Sequence, residues 1–193
     1  MRYIPDFPDA ILELEKTSHW VEASMLLYER WQLEPQNIAH LLCAGLEAWY
    51  GLVAIQHENM KTIFVSKRTI PTDVLQDILS NVAAYGRRYF SGHTMFNCYF
   101  GYMMMTMPHF FGDFDGAYDE WVEKGRAMIQ KACELDPGNL VAKAFASNGD
   151  EYGRNSPYYR ACKELWTTNT EKWGSSAVQN YFFNILWGED FLK

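Results

Sequence analysis

The sequence predicts an all-α fold built from antiparallel helical hairpins, and three observations support that prediction. Apolar residues recur with helical period along almost the whole chain. Stops containing proline or glycine separate these stretches, most clearly at Pro35 and at Pro137 and Gly138. No stretch alternates apolar and polar residues between hairpin turns, and "TIFVSKRTI", residues 62–70, is the only ambiguous piece. An irregular helical bundle is the alternative to a regular array of hairpins.

The N-terminal half contains three clear helical segments. The first begins at Trp20 and stops before Pro35, and the second covers Ile38 to Gln56. The third follows Thr72, which is a suitable N-cap residue. Their apolar stripes contain Ala23, Leu27 and Trp31 in the first segment and Val74, Leu75, Ile78, Leu79, Val82, Tyr85 and Tyr89 in the third.

The C-terminal half begins with the Met-rich run from Met95 to Phe111. This run is too short to span a bilayer comfortably and polar residues interrupt it, so it predicts a buried core helix. Four further helices are expected at residues 117–135, 140–147, 158–166 and 176–187. Since no linker or shift in composition interrupts the chain, we expect one all-helical domain over residues 1–193.

Composition and charge exclude several classes of protein. The 193 residues include 17 basic and 24 acidic side chains, which give a net charge of -7. That balance argues against direct binding of nucleic acid, which needs a basic surface. The N-terminus acquires charges before any apolar core, unlike a signal peptide. The four cysteines are widely scattered, as in reduced proteins, so we expect a cytoplasmic protein that does not enter a membrane.

A search for catalytic motifs finds none that carries an active site. The chain has no phosphate-binding glycine loop, no dinucleotide fingerprint, no H-E-x-x-H and no G-x-S-x-G. His40 and Cys43 lie three residues apart on one predicted helix, but two ligands are too few for a structural zinc site. We therefore expect a protein that is not an enzyme, with no cofactor and no metal.

The segment "DFDGAYDEWVE" is the densest group of acids. A calcium-binding loop is excluded, because aligning Gly116 as its glycine puts Phe111 and Val122 where oxygen ligands belong. Three interpretations remain: acids stabilised by a helix dipole, a carboxylate pair for acid–base catalysis, or a surface for a basic partner. The residues assigned to partner binding are Asp113, Asp115, Asp119, Glu120 and Glu123, together with Asp150 and Glu151.

Residues 4–37 resemble a tetratricopeptide repeat, a pair of antiparallel helices with a fixed pattern of small and apolar residues. Phe7, Ala10, Ile11 and Leu14 match the first helix, and Ala23, Leu27 and Pro35 match the second helix and its stop. Arg30 stands where the family has a small residue. "NIAHLLCAGLEAWYG" resembles another first helix, and "LDPGN" resembles the end of a repeat. The resemblance implies a tetratricopeptide-like array that binds proteins.

In general character, the chain also resembles the immunity proteins of bacterial contact-dependent inhibition and polymorphic toxin systems. It shares with them small size, acidity and the absence of catalytic motifs. The resemblance implies an inhibitor of one cognate toxin domain, commonly a nuclease, with acids facing a basic surface and aromatic residues as anchors. The alternatives are an adaptor that binds peptide tails and an enzyme assembled from His93, His109 and Asp113.

Overall fold

The computed structural model describes residues 4–62, 72–111, 118–146 and 176–187, with the backbone alone at 58–62, 183 and 185–187. The all-α prediction is confirmed, because these ranges contain helices and no strand. The helices are α1 (Asp9–Lys16), α2 (Trp20–Leu33), α3 (Ile38–Thr62), α4 (Asp73–Tyr89), α5 (Thr94–Thr106), a 3-10 helix (Pro108–Phe110), α6 (Tyr118–Leu135), α7 (Leu140–Ala146) and α8 (Ala177–Trp187).

Two helix ends differ from the predicted ones by more than one residue. Helix α3 continues past Gln56 to Thr62. The Met-rich helix α5 stops at Thr106, because Pro108 has no N–H for a continuing helix and begins the 3-10 helix. The helix expected at 158–166 and most of the ambiguous segment 62–70 lie outside the described residues.

The chain divides into two compact units, residues 7–90 and residues 1–6 with 91–193. This division does not test the expectation of one domain over residues 1–193, which stays a prediction. In the unit of residues 7–90, α2 packs on α1, α3 and α4, and α3 packs on α4. A Cβ added at Gly51 of α3 would lie 3.0 Å from Trp20 Cβ of α2 and 3.2 Å from Leu75 Cδ1 of α4. The three helices therefore meet closely at this glycine.

The third apolar stripe is only partly buried. Leu75, Ile78, Leu79 and Val82 lie in the core, whereas Val74 is 40% exposed and Tyr89 is 49% exposed. These two members of the stripe lie near the two ends of α4. Thr72 occupies the N-cap position without a side-chain capping hydrogen bond.

The residues that resemble a tetratricopeptide repeat occupy α1, α2 and the segments beside them. Phe7, Ile11, Ala23 and Leu27 are buried. Ala10, which should pack against a neighbour in that family, is exposed. The apolar core between α1 and α2 is therefore present, but α1 is less closely packed than the resemblance implies.

Helix α5 forms the core of the unit that contains residues 91–193. Every residue from Phe96 to Met104 is buried. Helix α6 crosses it at Gly101 and Gly125, where a Cβ on Gly125 would lie 2.6 Å from the carbonyl oxygen of Gly101. The two backbones are in direct contact there, and only glycine permits that distance.

Four aromatic rings join α5 to α7 and α8. The ring centroids of Tyr102 and Phe145 lie 4.3 Å apart, and those of Tyr99 and Phe182 lie 5.1 Å apart. These rings attach α7 and α8 to α5, since Phe145 belongs to α7 and Phe182 to α8. The unit is therefore assembled around one aromatic cluster, whose members are Tyr99, Tyr102, Phe145 and Phe182.

Two helix starts follow directly from the local sequence. Helix α6 ends before Pro137, and the side chain of Asn139 accepts a hydrogen bond from the backbone N–H of Ala142 at 3.0 Å to cap α7. Ser176 and Gln179 exchange hydrogen bonds of 3.0 and 2.9 Å between side chain and backbone, which is a capping box at the start of α8. The amide of Gln179 also donates to the carbonyl oxygen of Pro5 at 3.0 Å.

One helix in the described part of the chain is long and apolar enough to cross a membrane by length and composition. It is Ile38–His57 of α3, and 67% of its most apolar window is buried inside the protein. A core helix passes the same test, and burial of this extent is typical of one.

Candidate partner-binding surface

The structure describes three of the seven acids assigned to partner binding. Asp119, Glu120 and Glu123 lie in the first two turns of α6, and all three are exposed. Asp113, Asp115, Asp150 and Glu151 lie outside the described residues. Carboxylates near the N-terminus of a helix are stabilised by its dipole, so this turn forms without help from a partner.

Two of these acids have basic neighbours on the same helix. Glu120 Oε1 lies 2.6 Å from Lys124 Nζ, and Glu123 Oε1 lies 2.6 Å from Arg126 Nη1. The hydrogen bond from Lys124, and then its charge, lower the pKa of Glu120. Exposed ion pairs of this kind are weak and exchange readily with other partners. Asp119 has no ion pair among the described residues.

Aromatic side chains border the same turn. Tyr118 is 55% exposed, and Trp121 is half-buried. The ammonium of Lys124 lies 4.4 Å from the centre of the Trp121 ring, which packs 6.0 Å from the ring of Phe111. Exposed Tyr and Trp beside charged residues are the composition of binding hot spots.

One turn further along α6 the surface forms a hollow of about 350 Å³. Met105, Ile129 and Phe145 supply its apolar lining, and Glu123 and Arg126 supply charge. The remaining lining residues are Ala127, Gln130 and Ala146. The α6 surface, defined as Tyr118 to Gln130 with this hollow, thus combines charged groups with a concave apolar recess.

The core contacts of the unit fix the position of the hollow. Gly101 and Gly125 allow α6 to lie directly on α5, which places Met105 beside the α6 backbone. The stacking of Tyr102 on Phe145 fixes α7 at the other side of the recess. The walls of the hollow are therefore three packed helices, and the recess is preformed.

The structure describes His40, Cys43, His93 and His109 among the side chains considered for metal or acid–base chemistry. His40 Nδ1 lies 3.4 Å from Glu34 Oε2 without hydrogen-bond geometry, and burial raises the pKa of Cys43 to about 12. Burial also lowers the pKa of His93 and of His109. Asp113, the third member of the proposed catalytic group, lies outside the described residues. In the described ranges no three His, Cys, Asp or Glu side chains meet in a way that would hold a metal.

Sequence reasoning missed two features. It placed Met105 in a buried core helix and did not single out Phe145, although both line the hollow. The crossing of three helices cannot be seen in the sequence of any one of them. It also passed over Glu47, which is fully buried. A signal for Glu47 was available, since it is the only Asp, Glu, Lys or Arg from Ile38 to His57.

The α6 surface can contact a partner through charge, aromatic rings and shape. Its charged side chains from Asp119 to Arg126 are exposed. Comparisons with protein-family models, with curated proteins and with solved structures each find no match.

Proposed function

We propose that this protein is a non-catalytic protein-binding module of the cytoplasm, and most specifically an immunity protein that binds and neutralises a cognate toxin domain. A nuclease is the expected class of toxin, because nucleases carry basic surfaces for their substrate. The observation that carries the proposal is the α6 surface, where exposed acids and aromatic rings border a preformed apolar hollow.

The charged groups and the hollow of this surface contribute to binding in different ways. Asp119, Glu120 and Glu123 attract a basic partner and accelerate the encounter. The ion pairs of Lys124 and Arg126 with these acids are exposed, so a basic group of the partner replaces them at little cost. An apolar side chain of the partner then enters the hollow and loses its contact with water, which supplies most of the affinity.

Reversing two charges tests the electrostatic part of the proposal. We expect Asp119→Lys with Glu120→Lys to weaken binding about tenfold or more, mainly through slower association at low salt. The experiment captures the partner from a lysate of the native host, produces it pure and measures the rate constants at two salt concentrations.

The matched control is Asp73→Lys with Asp77→Lys, which makes the same change in net charge on exposed residues of α4. An equal loss of affinity in both double variants would show that only the overall charge matters. An unchanged affinity in the folded α6 variant would remove this surface from the proposal. Rescue of growth when the two proteins are expressed together distinguishes an inhibitor from a simple binding partner.

Filling the hollow tests the part played by shape. Ala127 is exposed and lines the recess, so we expect Ala127→Trp to block the partner's anchor and raise the dissociation rate about tenfold. The melting temperature should stay unchanged, because the added ring projects into open space. Unaltered dissociation kinetics would show that the hollow is not part of the interface.

An adaptor that binds peptide tails is the alternative, and the apolar hollow is the observation that favours it. A recess of this size accepts one or two side chains of an extended peptide. Short peptides from the partner's sequence distinguish the two functions. An adaptor binds such peptides as tightly as it binds the whole partner, whereas an immunity protein needs the folded toxin domain.

A further inference from the structure

Two acidic side chains lie inside the unit of residues 7–90. Glu47 of α3 is completely buried, and Glu15 of α1 is 7% exposed. The two carboxyl groups are within hydrogen-bonding reach of each other. Among the described residues, no donor forms a hydrogen bond to either oxygen of Glu47. Buried acids are normally paired with a base, so a contact between two acids calls for a physical explanation.

Among the described residues, Glu15 is the charged group that acts most strongly on Glu47. Helices α2 and α3 are antiparallel neighbours that meet at Trp20 and Gly51, so Ser24, one turn further along α2, lies level with Glu47. The Ser24 hydroxyl is also buried without a partner. The charge of Arg30 in α2 acts to lower the pKa of Cys43, which lies one turn before Glu47 on α3. The residues that α4 buries are Leu75, Ile78, Leu79, Val82, Ala83 and Gly86, none of them ionisable.

A single proton, shared between Glu15 and Glu47, allows the two carboxyl groups to lie in contact. Two carboxylates are acceptors only, so neither can supply the hydrogen that the other needs. With a proton on Glu47, its O–H donates to Glu15 and one negative charge remains. Burial contributes most to raising the pKa of Glu47 well above 4.5, and the charge of Glu15 and the shared hydrogen bond add to it. Glu15 also has a further interaction in the protein.

We infer that Glu15 and Glu47 form a proton-dependent clasp that holds α1 against α3. With the proton present, the two carboxyl groups share a hydrogen bond across the helices. When the proton is lost, two like charges face each other in the core, and α1 moves away to let water reach them. Helix α1 has eight residues, buries only Ile11 and Glu15, and otherwise packs on α2.

The sign of the pH dependence follows from the raised pKa. Below about 4.5, Glu47 is protonated in the folded and the unfolded protein alike. As the pH rises, the unfolded chain loses its proton first, and the folding equilibrium constant falls by up to about tenfold per pH unit. The fall ends at the pKa of Glu47 in the folded protein. The clasp is therefore closed in mildly acidic solution and weakened in alkaline solution.

The first test uses the wild-type protein and follows the side-chain carboxyl carbons of its glutamates by NMR as the pH is raised. We expect one carboxyl to keep its proton well above the usual glutamate range and to be absent from the spectrum of Glu47→Gln. Titration of every glutamate carboxyl close to 4.5 would overturn the inference.

The second test measures hydrogen exchange of the α1 amides from about pH 5 to about pH 9, corrected for the intrinsic exchange rates. In the wild type, protection of α1 should decrease as the pH rises. In Glu47→Gln it should stay constant and exceed that of the wild type at the alkaline end, because the amide N–H₂ donates to Glu15 at every pH. Glu22→Gln, an exposed change on α2, is the matched control and should follow the wild type. Parallel profiles for wild type and Glu47→Gln would refute the clasp.

Discussion

Gly125→Ala is expected to destabilise the protein by about 3 kcal/mol, although it adds a single methyl group. The new Cβ would lie 2.6 Å from the carbonyl oxygen of Gly101 and 2.8 Å from the backbone nitrogen of Met105. Both are backbone atoms of α5, so no side chain can rotate away, and the two helices must separate. Alanine favours a helix over glycine by about 1 kcal/mol, which offsets only part of this cost.

Urea unfolding followed by circular dichroism measures the effect. The matched control is Gly92→Ala, since a Cβ at that turn meets no atom within 4 Å. We expect the control to unfold like the wild type. A free energy of unfolding that is equal or higher in Gly125→Ala would show that α5 and α6 do not approach as closely as described. Because α6 carries the proposed partner-binding surface, the same variant should also lose affinity for the partner.

Phe182→Ala is expected to cost about 3–5 kcal/mol, the usual range for truncating a buried aromatic residue. The Phe182 ring is fully buried and lies 5.1 Å from the ring of Tyr99 and 5.5 Å from that of Tyr102. Its removal takes from α8 a ring that contacts α5 directly, and it leaves a cavity inside the aromatic cluster. We therefore expect α8 to open locally before the rest of the protein unfolds.

Hydrogen exchange of the α8 amides, combined with thermal unfolding, measures this result. Asn180→Ala is the matched control, because Asn180 is an exposed residue of the same helix. Protection of α8 should fall strongly in the Phe182 variant and remain near the wild-type value in the control. If both variants kept full protection, the Phe182 ring would not be what holds α8 in place, and the capping box and Val178 would have to hold it instead.

Most helix boundaries could be predicted from the sequence because their signals are local. The stop at Pro35, the turn at Pro137 and Gly138 and the Ser176 start each depend on a few neighbouring residues. The end of α3 could not be predicted in the same way. It continues to Thr62 through polar residues, where neither a proline nor a glycine marks a stop.

The candidate surface could be predicted only where its members are adjacent in sequence. Asp119, Glu120 and Glu123 stand out as a dense acidic segment, whereas the hollow beside them depends on Met105 and Phe145 from two other helices. The ion pairs with Lys124 and Arg126 follow from helical spacing, but their partial neutralisation of the acids went unrecognised. Contacts between helices depend on the register of their packing, and a single sequence does not display that register.

The place of Glu47 in α3 also bears on how the protein is made. During synthesis α3 leaves the ribosome before α4, with no neighbour yet on that face, and an apolar helix of this length is what the membrane insertion machinery accepts. An acidic side chain near the centre of such a helix costs about 2.5–3.5 kcal/mol on insertion. The carboxyl group that is buried in the folded core is thus the one charged side chain of the apolar stretch Ile38–His57, and it opposes insertion of that stretch into a bilayer.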